Sequence, residues 1–320
     1  VIDFTEIMTT GDAVDFGDLT AARSNGMPVS SSTRAVYAGG DPGSSNVDFI
    51  TIASQGNGID YGDLSVARYA GGGADNSVKG VFAGSYPNSN TIDSLIIATG
   101  GTATDFGDMT AAREKAKGVS NSHGGLNDGY MGTRPLPSGN TGRALVLGGY
   151  NSPAAKSLVE TVNIPTLGNA TDFGNLTTVI SSGGECSSAT RGLRGGGYGP
   201  GFTPTVDTIE SVEFASLGNA ADFGNLISAI GNLASNGCGS TTRGLFWGGE
   251  SQSNVIQYVT IATTGNATDF GDMTIGAELS SACSSNTRGV CGGGATPSEI
   301  NNIQYVTIAS TGNATDFGDL

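Results

Sequence analysis

One short text is written into this chain seven times, and that repetition constrains the fold more than any other feature. Residues 303–320 run from Ile303 through Thr307 and Gly312 to Asp316-Phe317-Gly318-Asp319-Leu320, and residues 256–273 repeat them with two changes, Thr263 for Ser310 and Met273 for Leu320. The core Asp-(Phe/Tyr)-Gly-(Asp/Asn)-(Leu/Met) recurs at Asp15, Asp60, Asp105, Asp172, Asp222, Asp269 and Asp316, at spacings of 45, 45, 67, 50, 47 and 47 residues. A fixed period of this size marks a repeat array.

A second landmark alternates with the first. A basic residue opens a short apolar run that ends on glycine: Arg34 to Gly40, Lys79 to Gly84, Arg143 to Gly149, Arg191 to Gly197, Arg243 to Gly249 and Arg288 to Gly294. In the last repeat, Thr274 to Cys283 and Arg288 to Gly293 flank the turn cluster Ser284 to Thr287 and read as a hairpin. Tyr305 to Ala309 alternates β-branched residues as a strand does, and Thr311-Gly312-Asn313 turns the chain into a fourth strand, Ala314 to Leu320. No segment carries a useful apolar face at helical spacing. Four short strands per repeat of about 47 residues define an all-β fold, a β-propeller. Phe16, Tyr61, Phe106, Phe173, Phe223, Phe270 and Phe317 are then the large residues between blades, with glycine and alanine allowing neighbouring sheets to approach.

The third-and-fourth-strand unit occurs seven times, beginning with Val1 to Leu19, and the first-and-second-strand unit six times. Seven blades are expected, the N-terminal one lacking its inner hairpin, with six blades and a surplus half as the alternative. An open strand edge is a template for pairing. The 320 residues therefore read as one propeller domain belonging to a longer polypeptide, or completed by a partner that supplies the hairpin. The third repeat is longer than the others, and residues 122–141 form an insertion between its first and second strands, carrying His123, Tyr130 and Arg134. An insertion on a rigid scaffold is a place for function, and equally a surface excursion. The loops after the glycine pairs change from blade to blade, which makes Tyr150, Tyr198 and Phe202 further candidate contact residues.

Composition narrows the partners. The net charge of −15 opposes a phosphate backbone, so nucleic acid is not an expected partner. No apolar run is long enough for a membrane-spanning helix. Cys186, Cys238 and Cys283 each stand five residues before the arginine of their repeat. Equivalent positions in successive repeats lie too far apart to bridge, so these read as small buried apolar residues; Cys291 is out of register.

The repeated motifs carry little chemistry of their own. Asp-Phe-Gly without a glycine loop, lysine or catalytic loop is not a kinase site. The Asp-x-x-Asp pair becomes Asn175 and Asn225 in two copies and lacks a calcium loop. The repeated aspartates are expected to accept backbone N–H groups in a tight turn. Arg34, Arg143, Arg191, Arg243 and Arg288 are expected to pair with a repeated aspartate, one contact per blade. Asn169, Asn266 and Asn313 begin Asn-Ala-Thr sequons, which turn geometry explains, since Asn219-Ala220-Ala221 breaks the pattern. His123 is the single histidine, and no nucleophile motif accompanies it. No catalytic residue, cofactor or metal is expected.

The order of glycine pair, strand aromatic (Tyr258, Tyr305), fourth-strand aromatic and following basic residue (Arg23, Arg68, Arg113) resembles the kelch family across the whole chain. The family's fourth-strand tryptophan is phenylalanine or tyrosine here, and the arginine is missing near Val179, Ala229 and Ala277. The Thr-Gly-Asn-Ala-Thr-Asp-Phe-Gly-Asp text is similar to kelch-like arrays of tailed-phage virion proteins. The resemblance implies a non-enzymatic structural or binding propeller in a virion or extracellular setting. Its variable loops would recognise a protein or glycan, and other virion subunits are further partners. The alternatives are the propeller domain of a secreted carbohydrate-active enzyme and a lectin.

Overall fold

The computed structural model describes residues 1–76, 78–121, 142–151, 154–200, 203–233 and 237–320. Six four-stranded antiparallel sheets follow one another along the chain, each in sequence order. Blade I is Met27–Ser30, Arg34–Ala38, Asn46–Thr51 and Ile59–Asp63. Blade II is Gly72–Asp75, Lys79–Ala83, Ser89–Ile96 and Thr104–Arg113. Blade III is Lys117–Ser120, Arg143–Leu147, Leu158–Asn163 and Thr171–Asn175. Blade IV is Gly184–Ser187, Arg191–Gly195, Thr208–Glu213 and Ala221–Asn225. Blade V is Gly237–Gly239, Arg243–Trp247, Val255–Thr260 and Thr268–Asp272. Blade VI is Ser281–Ser284, Arg288–Gly292, Asn302–Thr307 and Thr315–Asp319. Among the described residues the complete blades number six, the smaller of the two counts expected from the sequence. The N-terminal copy makes only a two-stranded sheet, Ile2–Phe4 with Val14–Gly17.

Two compact units are distinguished, Val1–Ile2 with Asp15–Leu176 and Phe214–Asn219, and Asp3–Val14 with Thr177–Glu213 and Ala220–Leu320. Each has its own apolar core. Met27, Val36, Phe82 and Ile97 pack together in the first, and Leu245, Trp247, Phe270 and Ile308 in the second.

The Asp-Phe-Gly text is a β-bulge. In blade VI, Gln304 faces Asp316 and Ile303 faces Gly318, so Phe317 is the extra residue and is turned into the interior, 3% exposed. The same slip occurs in the other five blades. Asp60, Asp105, Asp222 and Asp269 accept the N–H of the glycine two residues on at 2.9–3.1 Å, the tight-turn role expected of them. That glycine has a second reason to be glycine. At Gly271, with φ +141°, an added Cβ would lie 2.4 Å from the Gly312 carbonyl oxygen of the next repeat.

These contacts join successive repeats. The Gly312 N–H donates to the Phe270 carbonyl at 2.7 Å and the Asp272 N–H donates to Asn313 Oδ1 at 3.0 Å. Asn57, Asn169, Asn219 and Asn266 accept in the same way from Asp18, Asp108, Asn175 and Asn225. At the N-terminal copy Asp12 takes the role, accepting the Asp319 N–H at 3.1 Å. The asparagine that begins each Asn-Ala-Thr sequon is thus a clip between repeats. Asn266→Ala is expected to cost about 0.5–1.5 kcal/mol, read as a lowered urea midpoint with an unchanged m-value.

A second row of contacts runs along the third strands. Asp48, Asp93, Glu160, Glu210, Gln257 and Gln304 occupy one repeat position, and all are at most 3% exposed. Each accepts a backbone N–H from the residues that follow an Asp-Phe-Gly text: Thr20, Ser65, Thr110, Thr177, Ile227 and Thr274 respectively. Arg23 pairs with Asp48 at 3.0 Å, Arg68 with Asp93 at 2.9 Å, and Arg113 with Glu160. Where the arginine before the first strand is lost, blade IV supplies Arg194 from its second strand, whose charge acts on Glu210. Blades V and VI replace the acid with glutamine. A buried carboxylate without a cation is costly, and the amide keeps the hydrogen bond without the charge.

Two expectations are corrected. Arg34, Arg143, Arg191, Arg243 and Arg288 do not pair with the repeated aspartates. Their guanidinium groups stack on aromatic rings, 4.2–5.9 Å from the centroids, and donate to carbonyls of the next repeat: Ala98, Phe214, Ile261, Ile308 and Ile7. Among the described residues Arg191 alone of these reaches a carboxylate, that of Glu213. Cys186, Cys238 and Cys291 are buried free thiols, but Cys283 is exposed. Cys186 lies against Gly244 of blade V and Cys238 against Gly289 of blade VI. No first-and-second-strand hairpin stands beyond blade VI among the described residues to cover Cys283.

Candidate binding face

The segments after the glycine pairs are held by one backbone device. The residue leaving the second strand is bridged to the residue entering the first: Asp41 to Ser24, Tyr86 to Tyr69, Tyr150 to Glu114, Tyr198 to Ser181 and Ala295 to Glu278. In blade V the Glu250 N–H donates to the Gly231 carbonyl at 3.0 Å. The following position is left-handed in every blade, at Asn25, Ala70, Lys115, Ser182, Asn232 and Leu279, with φ between +53° and +59°. For non-glycine residues this costs roughly 1–2 kcal/mol each, and it persists because the bridges fix the chain on both sides. Side chains at this face therefore stand on an over-determined backbone.

On the first unit the face is aromatic and acidic. The Tyr69 and Tyr86 rings lie 5.1 Å apart and tilted, and Tyr86 is 47% exposed. The Tyr69 phenol is raised above its ordinary pKa by loss of water, then by Asp41, Tyr86 and Glu114. Lys115 Nζ stands 5.9 Å from the centroid of the Tyr150 ring, and Asn151 Nδ2 donates to the Ala112 carbonyl at 2.8 Å. On the second unit Tyr198 is hydrogen-bonded to Glu250, and Asn232 Nδ2 donates to Glu278 Oε2 at 3.0 Å. Burial, then Glu250 and Glu278, raise the Tyr198 phenol. An added Cβ at Gly231 would strike the Tyr198 ring at 2.4 Å, so the glycine makes room for it.

Glu114 is 9% exposed, and burial pushes its carboxyl above the usual carboxylate range, with Lys115 drawing it partly back. A raised carboxyl binds its proton more tightly folded than unfolded, so its charge subtracts stability as pH rises through the folded value. Glu114→Gln is expected to stabilise the protein at neutral pH, and the gain should vanish as pH falls below the unfolded value. Thermal melts of both proteins across that range measure it.

Of the residues expected from the sequence to contact a ligand, Tyr150 stands among the bridged loops of the first unit and Tyr198 among those of the second, in equivalent positions of blades III and IV. His123, Tyr130, Arg134, Phe202 and the whole insertion at 122–141 lie outside the described residues. Tyr86 and Glu250 lie in the variable loops without having been singled out, and Tyr69, Glu114 and Glu278 were not expected there. Tyr86 could have been found from its place two residues after Gly84, the position Tyr150 and Tyr198 hold after Gly148 and Gly196. The repeated Asp-Phe-Gly motifs lie within the fourth strands, opposite the beginning of the third.

Sheets of this order, repeated along the chain with bulged fourth strands, define a β-propeller. No protein-family model and no curated protein matches the chain. Among solved structures it is similar to the propeller YjhT, with a TM-score of 0.66 over 93% of this chain and 98% of that one, at 9% sequence identity. At that identity the likeness shows the fold alone.

Proposed function

We propose that the protein is a non-enzymatic binding propeller that takes a glycan or a protein on the bridged loops of its blades, in a virion or extracellular setting. One observation carries the reading. Six equivalent backbone positions, five held by the bridges and Glu250 by its hydrogen bond to Gly231, display four kinds of side chain: Asp41, Tyr86, Tyr150, Tyr198, Glu250 and Ala295. Phenol rings offer apolar area with a polar tip, and the neighbouring carboxylates accept from hydroxyl or amide donors. The setting is drawn from the resemblance to phage virion arrays.

A glycan array and a panel of surface proteins probed with the protein test this reading. Binding should be lost in Tyr69→Ala/Tyr86→Ala or in Tyr198→Ala while circular dichroism stays unchanged. Binding untouched by both variants, or none at all, would count against it. The grouping of Tyr198, Glu250, Glu278 and Asn232 favours a second reading, a carbohydrate-active enzyme. Hydrolysis or oxidation of sugars that disappears in both Glu250→Gln and Glu278→Gln would replace the first reading with this one.

A further inference from the structure

Every described tyrosine of the first unit outside one pair holds a cation against its ring. Arg23 stands 5.4 Å from the centroid of Tyr37, Arg34 5.5 Å from that of Tyr61, and Lys115 5.9 Å from that of Tyr150. The exception is Tyr69 with Tyr86, whose rings lie 5.1 Å apart at 44° to each other. Among the described residues no cation stacks on either of these two rings.

The backbone sets the pair between two carboxylates. The Ala70 N–H donates to the Asn25 carbonyl and the Lys115 N–H to the Ala70 carbonyl, both at 2.9 Å, so blades I, II and III are laced together in order. Ser24, Tyr69 and Glu114 precede the laced residues and stand in a row, with Asp41 bridged to Ser24. Asp41 is exposed and Glu114 is nine-tenths buried, and among the described residues none donates a hydrogen bond to either carboxylate or forms an ion pair with it. The Tyr69 phenol, raised first by loss of water, is raised further by the charges of Asp41 and Glu114. Cations of the same elements are committed elsewhere: Lys115 lies over the Tyr150 ring and offsets the burial of Glu114 only in part, while Arg68 and Arg113 pair with Asp93 and Glu160. A buried carboxylate without a cation is costly, and an aromatic face attracts positive charge.

We propose that the Tyr69–Tyr86 pair is the seat for an arginine or lysine side chain presented by a partner protein, with Asp41 and Glu114 taking its charge from either side. The inference rests on the binding reading above and deepens it, by giving the loops of the first unit a ligand chemistry. The cationic head lies on the ring faces, and its N–H groups donate to the two carboxylates. The net charge of −15 favours the approach of a basic partner.

Fluorescence polarisation tests this with the whole chain and two labelled peptides, one of arginines spaced by glycines and one with citrulline, the uncharged isostere, at each arginine. The arginine peptide should bind about tenfold more tightly, and its affinity should fall as salt is raised. Asp41→Asn/Glu114→Gln should weaken it about tenfold, and so should Tyr69→Leu/Tyr86→Leu, which keeps apolar bulk but removes the ring faces. Asp60→Asn/Asp105→Asn removes the same charge from the bulges of the same unit, keeps their acceptor oxygens, and should leave the affinity within about twofold. The proposal is overturned if the citrulline peptide binds equally, or if the two double carboxylate variants lose affinity alike, which would make the attraction one of net charge. A glucosamine oligomer that binds more tightly than the peptide and is weakened by the same variants would make an amino sugar the occupant, and would overturn the assignment to a protein side chain. A neutral glycan or protein that needs Tyr69 and Tyr86, with both peptides binding alike, would leave the loop reading standing without the cation. Binding of no probe at all would remove both.

Discussion

Phe270→Ala is expected to destabilise the protein by about 3–5 kcal/mol, read as a lowered guanidinium midpoint. Phe270 is the bulge residue of blade V, 2% exposed, and belongs to the cluster that holds Leu245, Ile256, Val306 and Ile308. Removing the ring empties the seam between two blades whose backbones are already clipped together by the Gly312 and Asn313 contacts. The sheets therefore cannot close over the cavity, which places the cost at the upper end for a large-to-small change. Phe317→Ala supplies the control. Phe317 occupies the same repeat position, but Ile7 and Ala13, its neighbours in the N-terminal copy, are only partly buried. Its replacement should cost distinctly less. Equal losses would show that the ring packs chiefly within its own blade.

Arg113→Met should have an effect of similar size for a different reason. Arg113 and Glu160 are both fully buried, and their side chains form an ion pair. Burial lowers the Arg113 pKa from its ordinary value, and Glu160 opposes that shift. Removing the cation leaves a carboxylate in a dry interior, at a cost of about 3–5 kcal/mol. The chain itself indicates the remedy. Gln257 and Gln304 hold the Glu160 position in blades V and VI, which have neither this arginine nor the substitute of blade IV, and each still accepts its backbone N–H, at 2.8 and 2.7 Å. The double variant Arg113→Met/Glu160→Gln is expected to return to within about 1 kcal/mol of the parent. Urea unfolding of the two variants decides the matter. A double variant no more stable than the single one would mean that Arg113 acts by packing rather than by charge.

Much of the fold was legible because the repeat is nearly verbatim. The period, four strands per repeat, the absence of long helices and the role of the buried aromatic all follow from local chemistry: a bulge needs an acceptor, a large residue and a glycine in that order. The candidate face was legible in part. Tyr150 and Tyr198 stood out as aromatics in variable loops, whereas Tyr69 and Glu114 enter a first strand and meet the loops only through the backbone bridges. Arg34 and its equivalents alternate with the repeated aspartates along the chain, but in the structure they reach carbonyls of the following repeat.

Cys238 and Cys283 mark the division most clearly. Both stand five residues before an arginine, in strands of the same kind, and nothing in their local sequence separates them. Cys238 is buried because blade VI lies against it; Cys283 is exposed, and among the described residues no further hairpin lies against it. The sequence by itself determined what each repeat folds into, since hydrogen bonds and alternation within a repeat are local. Only the tertiary structure decided what covers each position, because burial in a stacked array depends on the neighbour across the seam.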